Sequence, residues 1–584
     1  MNVPRTVWLA VLLASTLLSA QAVDDRPVLE WVRSAAVRLQ TVEAGHGFAD
    51  LQPLKKTIGN ARIVALGEAT HGTREFFQLK HRMLEFLATE MGFRVFSIEA
   101  NMPEAYRLND FVLTGKGDPA ALLRGLYFWT WDTEEVLDMI RWMRRFNESG
   151  RGRVEFTGFD MQTPTVAMEV VRDFVAKHDQ DYLDAVLSAS NLASAASLLT
   201  GGPNFGVATG TFPVKVAAGK RVRFSGSIKT EGVTRGWAGL WWRVDGSSGV
   251  LAFDNMQNRG ATGTTDWKRY ELELPVAVDA RNINFGVLHA GNGTAWFDAL
   301  AIELDDVPYR DDSLFDLDFE SAAPKNLRTS GNGYRIQLDP EVFRNGRQSL
   351  QMAYVAPQDE SGPVDAKVAA ASWIRVVQHL DAARSSYRSR GVAVREADWA
   401  IQSARIVLQG MQMRSNEVSR DRSMADNVKW IVDRSRGAKV VLWAHNGHVA
   451  TAGPRGFESM GSALRKRFGD QMVVAGFAFN QGSFQAISPG QQLRQFTVPA
   501  APPGSLDATL AAAEIPLFAI DLRQAPRSGP VAAWMNEPHK SRSIGAMYSE
   551  QTPDAYMIDV AAREWFDVIL FVDKTAAARR NMGK

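Results

Sequence analysis

Residues 62–72 read RIVALGEATHG, and this stretch decides the fold. It begins with a short apolar run, which is typical of a buried strand, and it ends in a turn that holds Glu68 and His71 between glycines. The spaced apolar residues of segment 76–87 then predict a helix, which Gly92 ends. A strand, a polar turn and a helix in this order begin a βαβ unit.

The same pattern of short apolar runs and helical segments continues along the chain on both sides of a central region. Near-continuous apolar runs suit strands that are covered on both faces, so we predict an α/β fold with one mostly parallel sheet flanked by helices. The predicted strands are residues 62–66, 94–98, 154–158, 439–443, 472–479, 516–521 and 568–572.

The central region has a different pattern, in which apolar and polar residues alternate and glycines and aromatic residues are frequent. This pattern predicts an antiparallel β-sandwich or jelly roll that is inserted into the α/β domain. Its predicted strands are residues 221–228, 237–244, 267–274, 283–288 and 296–302. The predicted boundaries are a signal peptide at 1–22, the first part of the α/β domain at 23–200, the insertion at 201–356 and the second part at 357–584. Five tryptophans of the insertion can either stack on sugar rings or fill its core: Trp237, Trp241, Trp242, Trp267 and Trp296.

Composition and charge exclude several classes of protein. The 584 residues hold 66 Lys and Arg against 65 Asp and Glu, a net charge of +1, so no overall field attracts nucleic acid or anionic lipid. Cysteine is absent, which excludes disulfides, thiolate zinc sites, iron–sulfur clusters and cysteine nucleophiles. A metal ion would have to be held by His, Asp or Glu.

The amino terminus has the features of an export signal. Arg5 precedes the apolar run 7–18, and Ala20 and Ala22 supply the small residues that signal peptidase accepts. The run is shorter than the roughly 20 apolar residues of a membrane-spanning helix. We therefore expect cleavage of residues 1–22 and a periplasmic or secreted mature protein with no integral membrane segment.

Charged or titratable residues follow four of the predicted strands. The carboxyl ends of parallel strands share one edge of the sheet, where ligands bind. Each residue has an ordinary structural explanation, such as a helix cap or a solvated histidine, but their convergence favours a functional site. The set comprises Glu68, His71, Glu99, Asp160, His445 and His448.

Asp160 and three further residues are candidates for substrate binding. Lys80 shares a helical face with apolar residues, which is costly unless its charge meets a carboxylate or a substrate oxygen, or reaches solvent past its neighbours. Trp129 and Trp131 precede a predicted helix and either wall a cleft or belong to the core.

These groups permit direct hydrolysis. A neutral His71 can take a proton from water, while Glu68 orients the ring and stabilises the imidazolium. His445, His448 or Lys80 can supply donors to an oxyanion, and Glu99 can orient the water or hold a cation in place. A serine nucleophile is disfavoured because the sequence has no G-x-S-x-G motif.

Two other functions compete with direct hydrolysis. The spacings Glu68-x-x-His71 and His445-x-x-His448 also suit zinc or manganese, which would make the protein a metal-dependent hydrolase. In the third hypothesis the protein binds glycans through the insertion, and the α/β part is an inactive scaffold.

Seven ordered motifs resemble the erythromycin esterase family, and the resemblance covers about residues 30–190 and 365–575. The motifs are GEATHG (67–72), EFFQLKHRMLEFL (75–87), IEAN (98–101), FWTWDTEEV (128–136), GFD (158–160), SRDRSMADNV (419–428) and AHNGHVA (444–450). The inserted region resembles jelly-roll domains of the carbohydrate-binding kind, although more loosely.

The resemblance implies a hydrolase of an ester or macrolide-type lactone that uses an activated water and forms no covalent acyl-enzyme. We predict that it needs no cofactor, with a divalent metal at Glu68, His71, His445 and His448 as the alternative. The resemblance also implies His71 as general base, Glu68 as its carboxylate partner and Glu99 as a further essential acid. His445 and His448 would line the pocket. Lys80 stands where drug-resistance members carry arginine, so substrate positioning is expected to differ.

Overall fold

The computed structural model describes residues 26–198, 205–355 and 366–581, apart from 127, 247, 248, 258, 323–325, 332, 436, 454–456 and 489–492. The predicted signal peptide lies outside the described residues. Among the helices that are described, none has the length and apolarity needed to cross a membrane.

The α/β part is formed by two separate segments of the chain. The first contains α1 (Arg26–Ala35), β1 (Val37–Arg38), α2 (Leu54–Ile58), β2 (Ile63–Leu66), α3 (Arg74–Glu90), β3 (Phe93–Asn101), α4 (Met102–Thr114), α5 (Pro119–Arg124), α6 (Glu134–Glu148), β4 (Glu155–Asp160), α7 (Thr165–His178) and α8 (Leu183–Leu198).

The insertion follows the first segment. It contains β5 (Phe205–Thr211), α9 (Val214–Ala217), β6 (Arg221–Gly246), β7 (Gly249–Asp254), β8 (Ala261–Pro275), β9 (Asn282–Gly291), β10 (Thr294–Leu304), β11 (Val307–Tyr309), β12 (Arg328–Ser330), β13 (Tyr334–Asp339) and β14 (Ser349–Tyr354).

The second α/β segment completes the chain. It contains α10 (Ala366–Ala382), α11 (Arg384–Ser389), α12 (Val394–Arg414), α13 (Arg420–Arg434), β15 (Lys439–Trp443), α14 (Asn446–Val449), α15 (Met460–Phe468), β16 (Met472–Ile487), β17 (Leu493–Val498), α16 (Leu506–Ala511), β18 (Leu517–Asp521), α17 (Pro530–Asn536), β19 (His539–Arg542), β20 (Met557–Val560), α18 (Ala562–Trp565) and β21 (Val568–Thr575).

Both segments contribute strands to one sheet. Its order is β1-β18-β21-β16-β2-β15-β3-β4, with β17 paired to β16. The five pairings from β21 to β4 are parallel, whereas β18, β1 and β17 join antiparallel. The prediction of a mostly parallel sheet is therefore confirmed for its centre, and the seven predicted strands all occur in it.

The central strands are covered on both faces, as their continuous apolar sequences require. Along β2, Ile63 and Ala65 contribute to one apolar cluster, while Val64 and Leu66 contribute to another on the opposite face. All four side chains are buried. The sheet therefore lies between two hydrophobic layers, and polar groups are left for the strand ends.

The insertion is antiparallel, as predicted, but its strand division differs. Segments 221–228 and 237–244, predicted as two strands, belong to the single 26-residue strand β6. The first half of β6 pairs with β8 and β10, and the second half with β7 and β9. Strand β6 therefore joins the described strands of the insertion into one ten-stranded sheet. The sandwich arrangement itself stays a prediction.

Candidate active site

Four adjacent strands bring the predicted polar residues to one edge of the sheet. In the order β2-β15-β3-β4, Glu68 follows β2, His445 follows β15, Glu99 lies near the end of β3 and Asp160 ends β4. The loop after β2 approaches another strand closely, because a side chain at Gly72 would lie 2.2 Å from the carbonyl oxygen of Gln485. Glycine is therefore required in the turn that presents His71.

Glu68 and His71 form a buried pair. The Glu68 carboxylate is fully buried, and its Oε1 lies 2.6 Å from His71 Nδ1. Because a carboxylate only accepts hydrogen bonds, His71 carries its proton on Nδ1 when the ring is neutral. Its Nε2 forms no hydrogen bond within the described part of the chain, and the side chain keeps 12% of its surface exposed. This nitrogen is available to act as a base.

Lys80 and Trp443 hold the other oxygen of Glu68. Lys80 Nζ and Trp443 Nε1 donate to Oε2 at 2.6 and 2.7 Å. The Lys80 ammonium is completely buried and lies 4.3 Å from the centre of the Trp443 ring. Burial lowers the pKa of Lys80 to about 8, against the opposing effect of the Glu68 charge. Lys80 therefore positions Glu68, which is the carboxylate partner that the sequence offered as one alternative; its complete burial does not support the predicted direct contact with substrate.

Arg420, the first residue of α13, links Glu99 with Asp160. Its Nη2 donates to Glu99 Oε1 and to Asp160 Oδ2, both at 2.7 Å. Burial by itself would raise the pKa of Glu99, but the charges of His448 and Arg420 hold it well below its ordinary value. Asp160 is fully buried. It supports Arg420 and does not reach the open side of the site as a substrate-binding residue.

His448 belongs to a second carboxylate–histidine pair. Its Nδ1 lies 2.9 Å from Asp421 Oδ2, while its Nε2 lies 3.1 Å from Arg420 Nη1 and 3.4 Å from Glu99 Oε1. Burial opposes protonation, but the carboxylates of Glu99 and Asp421 more than offset it and raise the pKa of His448. A neutral ring accepts from Arg420 at Nε2, whereas an imidazolium donates there to Glu99.

His445 is a neutral donor that faces the first pair. Its Nδ1 accepts a hydrogen bond from the backbone N–H of Gly447 at 3.2 Å, so the ring proton lies on Nε2. Burial, together with the nearby His71 and His448, lowers the pKa of His445 to about 3. Its buried Nε2 has no hydrogen-bond partner among the described residues. The His445 and His71 ring centres are 5.1 Å apart.

The two predicted tryptophans differ in their positions. Trp131 is 1% exposed and donates from Nε1 to the carbonyl oxygen of Glu99 at 2.9 Å. Its ring also packs edge-on against His71 and Trp443. Trp131 therefore supports the site from the core. Trp129 is half-buried and makes no ring contact with these residues in the described structure, so its role in binding stays a prediction.

Sequence reasoning from strand ends missed Arg420, Asp421 and Trp443 as members of the site. The available signal was weak, because an acidic residue in the first turn of a helix is common and Trp443 is part of an apolar strand. The motif at 419–428, quoted for the resemblance, does contain Arg420 and Asp421.

The carboxylates of the site outnumber its lysine and arginine side chains. Among the described residues, the four carboxylates of Glu68, Glu99, Asp160 and Asp421 contact one lysine and one arginine, Lys80 and Arg420. Within the described residues, no group of three or more His, Asp or Glu side chains has an arrangement suited to a metal ion. The imbalance favours protonation of a histidine.

The buried His445 makes the folded protein sensitive to acid. Its pKa of about 3 lies below the ordinary 6.5, so between these values the unfolded chain binds more protons and the free energy of unfolding falls as the pH drops. We expect this effect to reach about 2 kcal/mol at pH 5. Asparagine at this position keeps an acceptor for the Gly447 N–H but does not titrate.

Urea unfolding at pH 7.5 and pH 5 measures this effect. His445→Asn should lose less stability between the two pH values than the wild type, and His46→Asn, at an exposed loop position, is the matched control. An equal loss in the wild type and His445→Asn would contradict a neutral, buried His445.

Together, the fold and the site define an α/β protein with two carboxylate–histidine pairs at the carboxyl ends of parallel strands. The erythromycin esterase family matches residues 88–203 and 333–575, more than half of the chain, and the chain belongs to this family. The interval between the two matched ranges falls within the insertion. Glu68 and His71 precede the first matched range.

Two curated relatives match shorter segments. Erythromycin esterase type II of Escherichia coli is 30% identical over 168 residues, which are 28% of this chain and 40% of that protein. A putative hydrolase of Bacillus subtilis, YbfO, is 33% identical over 148 residues, 25% of this chain and 32% of that protein. The matches therefore span less than half of the curated relatives.

Solved structures share the fold over most of the chain. A Bacillus cereus protein has a TM-score of 0.61 at 19% identity, covering 95% of this chain and 99% of that one. A variant of the erythromycin esterase EreC in its open conformation has a TM-score of 0.50 at 13% identity, covering 92% of this chain and 96% of that one.

Proposed function

We propose that this protein is an exported hydrolase of a carboxylic ester or lactone, and that His71 activates the attacking water without a covalent acyl-enzyme. One observation carries the proposal: Glu68 holds His71 through Nδ1, and the His71 ring centre lies 5.1 Å from that of His445, whose buried Nε2 has no hydrogen-bond partner among the described residues. Family membership and the names of the relatives support a hydrolase.

The proposed reaction begins when His71 Nε2 removes a proton from water as its oxygen attacks the carbonyl carbon. Glu68 stabilises the imidazolium that forms, and the neutral N–H of His445 donates to the developing oxyanion. The tetrahedral intermediate then collapses with cleavage of the carbon–oxygen bond to the leaving group. The alkoxide takes the proton back from His71, and the products are a carboxylic acid and an alcohol.

His445 suits the oxyanion because its proton stays in place. With a pKa of about 3, it remains a neutral donor throughout the pH range of an ordinary assay. A buried N–H without a partner is costly, and a substrate oxygen would satisfy it. The same oriented N–H of His445 would then bind the substrate oxygen in the ground state and stabilise the negative charge that develops on it.

Arg420, together with His448 when its ring is protonated, supplies positive charge beside Glu99. Both side chains remain partly exposed, at 20% and 24%, whereas their carboxylate partners are buried. This arrangement lets them contact a polar part of the substrate while Glu99, Asp160 and Asp421 fix their positions. In this proposal the three acids position other residues and do not react with substrate.

The effect of chelation and the ability to hydrolyse an ester distinguish the competing functions. A metal-dependent hydrolase would lose activity on chelation and regain it only with added metal, although Glu68 already accepts hydrogen bonds at both oxygens. A glycan-binding scaffold would hydrolyse no ester. Export is proposed from the sequence of residues 1–22 alone.

The direct test is hydrolysis of macrolides and simple carboxylic esters by the purified mature protein, before and after chelation. We expect turnover of at least one ester or lactone that chelation leaves unchanged. A folded protein that hydrolyses no member of the panel, or that needs added metal, would contradict the proposal.

A further inference from the structure

A groove of about 720 Å³ crosses the outer face of the insertion, on strands β5, β6, β7 and β9. Strand alternation separates this face from the core. Along β6, Trp237 and Trp241 line the groove, while Leu240 and Trp242 are fully buried on the other face. Of the five tryptophans considered from sequence, only Trp237 and Trp241 line the groove.

Two glycines lie on the strands that carry the aromatic residues of the groove. Strand β9 lies between β5 and β6, and its Gly286 faces Trp241, while its Leu288 faces Gly239. A side chain at Gly286 would lie 1.8 Å from the carbonyl oxygen of Ala208, and one at Gly239 would lie 3.1 Å from Met256 Cβ, so neither position can carry a larger residue beside the tryptophans. Phe205, which is 54% exposed, lines the far side on β5.

The indole of Trp237 is fixed in its orientation. Its Nε1 donates to the backbone carbonyl of Asn255 at 3.2 Å, and a side chain at Gly260 would lie 2.4 Å from its ring. The ring is only half-buried although it is held on two sides. A fixed, partly exposed aromatic face presents apolar surface at little cost in conformational entropy.

The polar groups of the groove carry no net charge. Arg243 and Asp245 pair with each other at 2.8 Å, so their charges cancel. The polar lining is completed by Thr209 and by three side-chain amides: Asn255, Gln257 and Asn284. Their NH₂ groups donate no hydrogen bond within the described structure. Amides both donate and accept, so they match hydroxyl groups better than they match ions.

We propose that this groove binds an uncharged oligosaccharide. A pyranose ring has an apolar C–H face that packs on an indole and hydroxyl groups at its edge that pair with amides. Trp237 and Trp241 are four residues apart on one strand, about 13 Å, so both contacts need more than one sugar unit. The site is independent of the proposed hydrolysis.

The test is titration of the full chain with uncharged hexasaccharides of glucose, mannose, xylose and galactose, followed by calorimetry. Hexagalacturonate is the charged comparison. We expect at least one uncharged hexasaccharide to bind with a dissociation constant of roughly 1 μM to 1 mM. Trp237→Ala and Trp241→Ala should each weaken this binding by about tenfold or more, and His71→Ala should leave it unchanged.

Trp267→Ala is the matched control, since Trp267 is a half-buried tryptophan of the same sheet that does not line the groove. If a groove tryptophan variant does not fold, Gln257→Ala, at an exposed position, replaces it and should weaken binding by about threefold or more. The proposal is overturned if no uncharged hexasaccharide binds, if only hexagalacturonate binds, or if binding is equal in the groove variants and Trp267→Ala.

Discussion

His71→Asn lowers kcat for ester hydrolysis by about 10³-fold in our expectation, within the 10²–10⁴ range of general acid–base catalysis. Asparagine is the most informative substitution because its amide nitrogen can still donate to Glu68 Oε1, as His71 Nδ1 does at 2.6 Å. The side chain loses only the basic Nε2. The buried Glu68 therefore keeps its partner, and the fold should be little affected.

The measurement compares kcat and thermal unfolding of the wild type, His71→Asn and His46→Asn on a substrate that the panel identifies. His46 lies in an exposed loop, so its variant controls for loss of an imidazole. We expect a normal melting temperature in all three and a large loss of kcat only in His71→Asn. A His71→Asn protein with the wild-type rate would exclude His71 as the base.

The position of the site follows from sequence more directly than its internal contacts do. Glu68, Glu99, Asp160 and His445 end strands whose order the parallel sheet fixes, so their shared edge could be predicted. The contacts of Arg420 could not, because α13 approaches the sheet through tertiary packing that leaves no periodic pattern in the sequence. Its bonds to Glu99 and Asp160 join residues more than 250 positions apart.

The insertion illustrates a second limit of sequence reasoning. Glycines at 232 and 236 interrupt the alternation and favour two strands, whereas β6 continues through this region with register shifts against β8. A bulge absorbs extra residues without ending the strand. The predicted strand positions were therefore correct, while their connection was not.

Lys80→Met should lower the free energy of unfolding by about 3–5 kcal/mol, because it removes one partner of a buried ion pair. Lys80 and Glu68 are both fully buried, and the ammonium lies 2.6 Å from Oε2. The uncompensated Glu68 would then favour its protonated form. A neutral Glu68 cannot stabilise the His71 imidazolium, so kcat should fall together with stability.

A double-mutant cycle with Glu68→Gln separates charge from packing. If Lys80→Met destabilises through the unpaired carboxylate, Lys80→Met/Glu68→Gln should recover most of the lost stability, because no buried charge remains. Its kcat should stay low, since His71 still lacks a carboxylate partner. If the double variant is as unstable as Lys80→Met, the loss comes from the cavity around residue 80. Recovery of stability would therefore show that Lys80 stabilises the fold by pairing with the buried charge of Glu68.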